Sequence, residues 1–349
     1  MFLLYNGDVI LFLVNYLYLL AYLFGARKRG FTVQIIINAV IPIFAIILCG
    51  YLAGRFQLVS VSGAQSLNHF VYYFALPALL FFSLSTTPIE QITNWTFIRL
   101  NFVVTLICFF GAMIVVRKVF KKKSPNIALH GMAASYGNTG FLGIPFVVAA
   151  FGQEAAVPAA IATFTYDIVI ITLVILIFEL SNAKGDTKKL VPLMTQIGKG
   201  IFLNPINLSL ILGVVISSLQ ITVPNPIQVF ADILGSAAGP TALFALGLGL
   251  LSRNAGTSNG FISSGEIGVI IGLKLILMPV VMGLLILYVF SLDELWATVA
   301  LILSALPIGA LVNVFAEKYG VMVDRAPKMI LLSTVLSIFT LSVLLILIG

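Results

Sequence analysis

The sequence predicts an all-α polytopic membrane protein. Its core reads as ten spans, arranged as an inverted five-plus-five repeat with two broken helices. Three observations lead there. Of the 349 residues, 60% are hydrophobic and only 9% are charged, with a mean hydropathy of +1.14. Soluble domains carry about 25% charged residues, so these charges could not cover the surface of a soluble globule of this length. Apolar runs of about 20 residues, the length that crosses a hydrocarbon core, recur along the whole chain. Two of those runs are interrupted by helix-breaking residues, one in each half.

The runs fall near 33–54, 66–86, 97–119, 126–151, 155–180, 203–220, 229–251, 265–290, 295–319 and 326–348. The linkers are short and polar, as in RKVFKKKSPN (117–126), SNAKGDTKK (181–189) and SRNAGTSNG (252–260). Alternate loops differ in charge. One set holds Arg55, Arg117, Lys118, Lys121, Lys122, Lys123, Lys184, Lys188, Lys189, Lys199, Arg253, Lys318, Arg325 and Lys328. The other holds Arg99 beside Glu90, Glu154, Asp293 and Glu294. Positive loops stay cytoplasmic, so both ends of the ten-span core face outward. The net charge of +7 lies in these loops, which argues against a nucleic-acid partner and for a lipid bilayer. Cys49 and Cys108 lie in apolar runs and make no disulfide framework.

Residues 1–32 stand apart. Residues 9–24 are apolar and precede Arg27, Lys28 and Arg29, which would face outward against the charge rule. The segment reads as an extra helix outside the core, as an interfacial segment, or as translation from an over-extended start. It is not a signal peptide, because the charges follow the apolar run.

The two halves echo each other. Pro42 and Pro205, Gly50 and Gly213, and Pro77 and Pro240 are each 163 residues apart. ALPALLF (75–81) resembles AGPTALF (238–244). A repeat of five spans, an odd number, inverts its second copy in the membrane. The expected units are 33–180 and 203–349, joined by a cytoplasmic linker over 181–202.

Span 4 contains SYGNTGFLGIP (135–145). Gly137, Gly140, Gly143 and Pro145 are weak helix formers, and Asn138 and Thr139 are polar. Lipid cannot solvate free backbone, so such a break must be buried in protein or line a cavity. Broken spans of this kind mark transporter binding sites. The repeat predicts a partner in span 9, where ALPIGALVNVFAEKYG (305–320) holds Pro307, Gly309 and Asn313. Half-helix N-termini suit a carboxylate. Gly137, Asn138, Thr139, Gly140 and Asn313 are therefore the candidate substrate contacts, and Gly143, Pro145, Pro307 and Gly309 the candidate hinges. The alternative for the polar groups is that they only satisfy the broken backbone.

These segments resemble the auxin efflux carrier family, which includes the plant PIN-FORMED carriers and bacterial permeases described as malonate or malate carriers. The resemblance covers 33–349 and rests on GNTGFLGIP (137–145), FLNPINLSL (202–210), GPTALFALGLGL (239–250), LKLILMP (273–279) and the 305–320 segment. It implies ten spans, two crossed broken helices and elevator-type carriage of organic anions, with no cofactor. The chain departs from it in its N-terminal stretch and in Val312, where the plant carriers have a crossover proline. It also lacks the long cytosolic loop of many plant members.

Two charges lie inside spans. Asp167 is central in span 5 and Lys274 lies within span 8. A charge at that depth costs at least about 2.5–3.5 kcal/mol on insertion scales, so each needs a partner or a function. One reading pairs them in a structural salt bridge. The other lets Asp167 take a proton or cation while Lys274 attracts an anion. Asn204 and Asn207 open span 6 and read either as site residues from the scaffold side or as a helix cap. Glu179, Asp232 and Glu266 read as interfacial. His69 and His130 are isolated from each other and from any Cys, so no metal site is expected. Gly247 and Gly249 read as helix-packing residues, and no nucleophile–base pair suggests an enzyme. The expected function is secondary transport of a small mono- or dicarboxylate by a homodimer in the bacterial inner membrane. The alternatives are a sodium- or proton-coupled symporter of bile-acid-transporter-like architecture, with a coupling ion, and a membrane sensor on the same fold.

Overall fold

A computed structural model describes residues 41–60, 62–122, 125–183, 195, 198–199, 202–249, 251 and 264–348. The N-terminal extension 1–32, the start of span 1 and most of the 181–202 linker lie outside the described residues. Within them the chain is helical, with one isolated β-bridge between Gly137 and Ile308.

Helix α1 (Ile41–Arg55) precedes a composite run of α2 (Gly63–Phe70), a π-helical turn at Val71–Ala75 and α3 (Leu76–Ser85). Helix α4 (Trp95–Val119) opens on Asn94, whose side-chain oxygen accepts the Phe97 amide. Then come α5 (Ile127–Ser135), a second π turn at Thr139–Gly143 and α6 (Ile144–Phe151). Helix α7 (Ala156–Ala183) is followed by α8 (Pro205–Ser218), α9 (Asn225–Ser236) and α10 (Ala238–Gly249). Helix α11 (Ser264–Gly272), a third π turn at Leu273–Leu277 and α12 (Met278–Tyr288) form one run. Helices α13 (Glu294–Ser304), α14 (Leu311–Tyr319) and α15 (Ala326–Ile348) complete the chain.

Six of the described helical runs are long and apolar enough to cross a membrane: Gly63–Ser85, Ile89–Val119, Gln153–Phe178, Asn225–Gly249, Gly265–Tyr288 and Ala326–Leu345. Four shorter apolar helices accompany them, at Ala45–Arg55, Thr139–Phe151, Pro205–Ser218 and Glu294–Ser304. Three of the four have visible causes. Spans 4 and 9 are divided by their breaks, and span 1 enters the described region part-way along.

Each π turn ends two residues before a proline: Pro77, Pro145 and Pro279. Proline lacks an N–H and its ring clashes with the carbonyl four residues back. The wider π turn gives that carbonyl room. Pro77 therefore acts by widening its helix locally. Pro240 lies near the start of α10, just past the turn at Ala237.

Two close helix pairs organise one side of the molecule. Helix α1 runs along α10, and α8 runs along α3. A Cβ on Gly50 would collide with the Phe244 carbonyl, and one on Gly247 with the Ile47 carbonyl. A Cβ on Gly213 would stand 2.8 Å from Leu84 Cβ and 3.1 Å from the Phe81 oxygen. Phe81 and Phe244 differ by the same 163 positions as Gly50 and Gly213. Each glycine therefore meets the carbonyl of the residue matched to the other's contact. Gly247 packs as its sequence suggested; a Cβ on Gly249 would meet nothing.

The remaining helices surround the two breaks. Helix α5 packs on α4 and α11, α7 on α4 and α13, and α15 on α11 and α14. Cys108 is buried in α4 and Cys49 is exposed on α1; both are free thiols. Asp232 is exposed, whereas the Glu179 side chain lies outside the description.

The structure adds a charged cluster that the sequence did not reveal. Glu266 is 2% exposed, buried inside the protein. It meets His130, whose Nε2 lies 2.7 Å from Glu266 Oε1 and whose Nδ1 lies 3.1 Å from the Asn126 carbonyl. Arg325 Nη1 also reaches Glu266 Oε1 at 2.6 Å, and Lys122 lies 3.7 Å from Oε2. The cluster joins α5, α11, the approach to α15 and the end of the α4 region. Its members are distant in sequence, so nothing local to any of them reveals the pairing.

Candidate functional site

Every residue of α5 is buried. The helix stops where Tyr136 turns extended, at φ −95° and ψ 108°. Helix α13 stops likewise before Pro307, which cannot donate to the preceding turn. The two extended stretches lie antiparallel. The Asn138 amide donates to the Pro307 carbonyl at 2.8 Å, and the Gly309 amide donates to the Tyr136 carbonyl at 3.0 Å. The Ile308 amide donates to Ser333 Oγ on α15 at 3.1 Å. Each break thus supplies the partners that the other needs where lipid could supply none.

Close approach explains the residue types. A Cβ on Gly309 would stand 2.6 Å from the Tyr136 ring and 2.9 Å from the Gly137 carbonyl. One on Gly143 would stand 2.5 Å from Leu306 Cδ1. Gly140 instead faces α8, 3.2 Å from Ile206 Cδ1 on the same measure. The span 9 break runs through Ala305–Ala310, and Val312 is already inside α14 and buried. A proline at 312 is therefore not needed for the break here.

Beyond the first break the chain re-enters helix at Thr139. The Asn138 carbonyl accepts the Leu142 and Gly143 amides at 3.1 and 2.9 Å. The opening amides at Gly140 and Phe141 have no carbonyl one turn back within their own helix. The Asn138 side chain is half-buried and caps nothing. Thr139 Oγ1 is buried with no hydrogen-bond partner among the described residues. Asn313, in the first turn of α14, donates Nδ2 to Glu317 Oε1 at 2.8 Å, while its buried Oδ1 accepts nothing among the described residues. Donors at the first break are thus more available than the Asn313 amide.

Asp167 and Lys274 do not pair. Asp167, 1% exposed on α7, accepts the Tyr136 hydroxyl at 2.7 Å on Oδ1 and Asn204 Nδ2 at 3.3 Å on Oδ2. The Asn207 side chain also hydrogen-bonds this carboxyl. Asn204 keeps its capping role too, since its Oδ1 accepts the Ile206 amide at 2.9 Å. Lys274, fully buried in the third π turn, donates Nζ to the Ser304 carbonyl at 2.6 Å. Tyr136 takes Asp167 and its neighbour Gly137 lies against the ammonium, so the crossover stands between the charges.

Sequence reasoning missed Tyr136, Ser304 and Ser333. Tyr136 left a signal: a tyrosine inside an apolar span needs a partner for its hydroxyl, and it immediately precedes Gly137. The two serines left none, because one acts through its carbonyl and the other serves the second break, 25 residues away.

Compared with known families, residues 35–345 match the one described as Membrane transport protein. A "Putative malonate transporter" of Rhizobium meliloti is 34% identical over 317 residues, covering 90% of this chain and 96% of that protein. The chain belongs to the auxin efflux carrier family of membrane transport proteins. It is also similar to the "Uncharacterized transporter YfdV" of Escherichia coli K12, 29% identical over 70% of this chain and 76% of that protein. A mouse "Lysosomal cholesterol signaling protein" is 27% identical over 62% of this chain and 26% of its own length. This member of the family is an integral membrane transporter and not an enzyme. A small-molecule substrate and membrane lipid follow as its partners.

Proposed function

We propose that this family member carries a small organic anion, a mono- or dicarboxylate of the malonate type, by elevator-like alternating access. The observation that carries the reading is the paired crossover, where a half-helix N-terminus opens beside the uncapped Asn138 side chain and the unpartnered Thr139 hydroxyl. Positive half-helix ends attract carboxylates. The name of the Rhizobium relative points to the same substrate class.

In this proposal ten spans form two inverted units, 33–180 and 203–349, joined by 181–202. The reciprocal packing of Gly50 on Phe244 and Gly213 on Phe81 supports the repeat. Spans 1, 2, 6 and 7, which contain α1–α3 and α8–α10, form a scaffold and a homodimer surface. The other spans move with the crossover. The basic loops lie on the cytoplasmic face of a bacterial inner membrane.

Purified protein in liposomes tests this. A carboxylate that raises the melting temperature by mass action is expected to cross the membrane down its gradient, with malonate tested first. Failure of every mono- and dicarboxylate to move would refute the reading. Saturable binding without flux would favour a sensor.

One observation favours proton coupling. Among the described residues Asp167 receives neutral donors, from the crossover through Tyr136 and from the α8 region through Asn204 and Asn207. A proton arriving there would weaken the hold of both. Uptake driven by an inward proton gradient should lose that drive in Asp167→Asn. Wild-type uptake indifferent to pH removes the coupling.

A further inference from the structure

Lys274 is fully buried, yet among the described residues no carboxylate forms an ion pair with it. Its charge is met by backbone instead. Nζ donates to the carbonyl of Ser304, the last residue of α13. A Cβ on Gly137 would lie 3.5 Å from the same nitrogen and 3.3 Å from the Leu303 carbonyl. Gly137 stands two residues past Ser135, where α5 ends. The ammonium therefore sits where the C-terminal ends of both first half-helices converge. Those ends carry partial negative charge and outward-facing carbonyls.

In transporters built on broken helices, such ends coordinate a coupling Na⁺ or proton. We propose that Lys274 is a built-in counter-cation for the crossover, filling with a covalently attached ammonium the position that a free alkali cation would otherwise take. The π turn ahead of Pro279 holds it there. Three consequences follow. The crossover stays neutralised throughout the cycle, no alkali cation binds there or serves as the coupling ion, and a coupling proton acts elsewhere. The inference rests on the crossover being the centre of the carrier. It makes no use of the substrate's identity.

The test reads cation binding directly. Melting temperatures of purified wild-type protein and Lys274→Ala are compared in choline, Na⁺, Li⁺ and K⁺ chloride at constant ionic strength, and again with ethylammonium. Wild type is expected to melt alike in all of them. Lys274→Ala should melt lower in choline and recover by several degrees, saturably, with a small alkali cation or with ethylammonium, which restores a detached ammonium. If Lys274→Ala does not fold in choline, folded yield on adding ethylammonium becomes the readout, and Lys274→Met, which keeps the chain length, is expected to melt low without rescue. Saturable stabilisation of wild type by Na⁺ would overturn the proposal. So would a Lys274→Ala or Lys274→Met protein as stable as wild type in choline, or a destabilised Lys274→Ala that no cation restores. None of these readouts depends on carboxylate flux, so failure here and failure of the carboxylate reading are separable.

Discussion

Replacing Gly309 with valine is expected to abolish transport and to lower thermal stability markedly. The position admits no side chain. A Cβ would meet the Tyr136 ring at 2.6 Å and the Gly137 carbonyl at 2.9 Å, and the second of these neighbours is backbone. Relief would require the two breaks to separate. That would strip the Gly309 amide from the Tyr136 carbonyl and the Asn138 amide from the Pro307 carbonyl. Overpacking alone costs about 1–3 kcal/mol. Each buried backbone group left unpaired adds about 1–3 kcal/mol. The effect would spread to Asp167, because Tyr136 also donates its hydroxyl there. Melting in detergent and flux in liposomes both report it. A Gly309→Val protein with wild-type melting and flux would mean that the breaks do not need their mutual contact.

The second large effect should fall on function alone. Asn138→Ala is expected to reduce carboxylate flux by about 10- to 100-fold, the loss of one hydrogen bond to a charged group, at about 1.5–3 kcal/mol. Its melting temperature should barely move. The side chain caps nothing, and the structural bonds at this residue run through its backbone amide and carbonyl, which alanine keeps. Asn138→Asp sharpens the comparison by putting a negative charge where an anion would dock. It should inhibit at least as strongly. Near-normal flux in both variants would remove Asn138 from the substrate site.

Much of the frame was legible before any coordinates. Apolar length and scarce charge set the helical membrane class. The SYGNTGFLGIP interruption and its quieter counterpart at 305–320 are the two places where the helices stop. Glycine and proline leave local marks, because their effect is on the backbone that carries them. The pairing of charges was not legible. One of two readings paired Asp167 with Lys274, because each needed a partner or a function. Glu266 and His130 gave no local sign of each other, although they meet across 136 positions.

The sequence by itself determined what each segment must do: cross lipid, stop, or turn. Those outcomes follow from hydropathy and backbone chemistry within a few residues. Only the tertiary structure decided who satisfies whom. It joined the two breaks through two backbone hydrogen bonds, gave Asp167 to Tyr136 and the span 6 asparagines, and set Lys274 against the Ser304 carbonyl. The physical reason is that a buried polar group demands a partner of complementary chemistry but does not specify which one. Carbonyls, hydroxyls and carboxylates all qualify, and distance in space makes the choice.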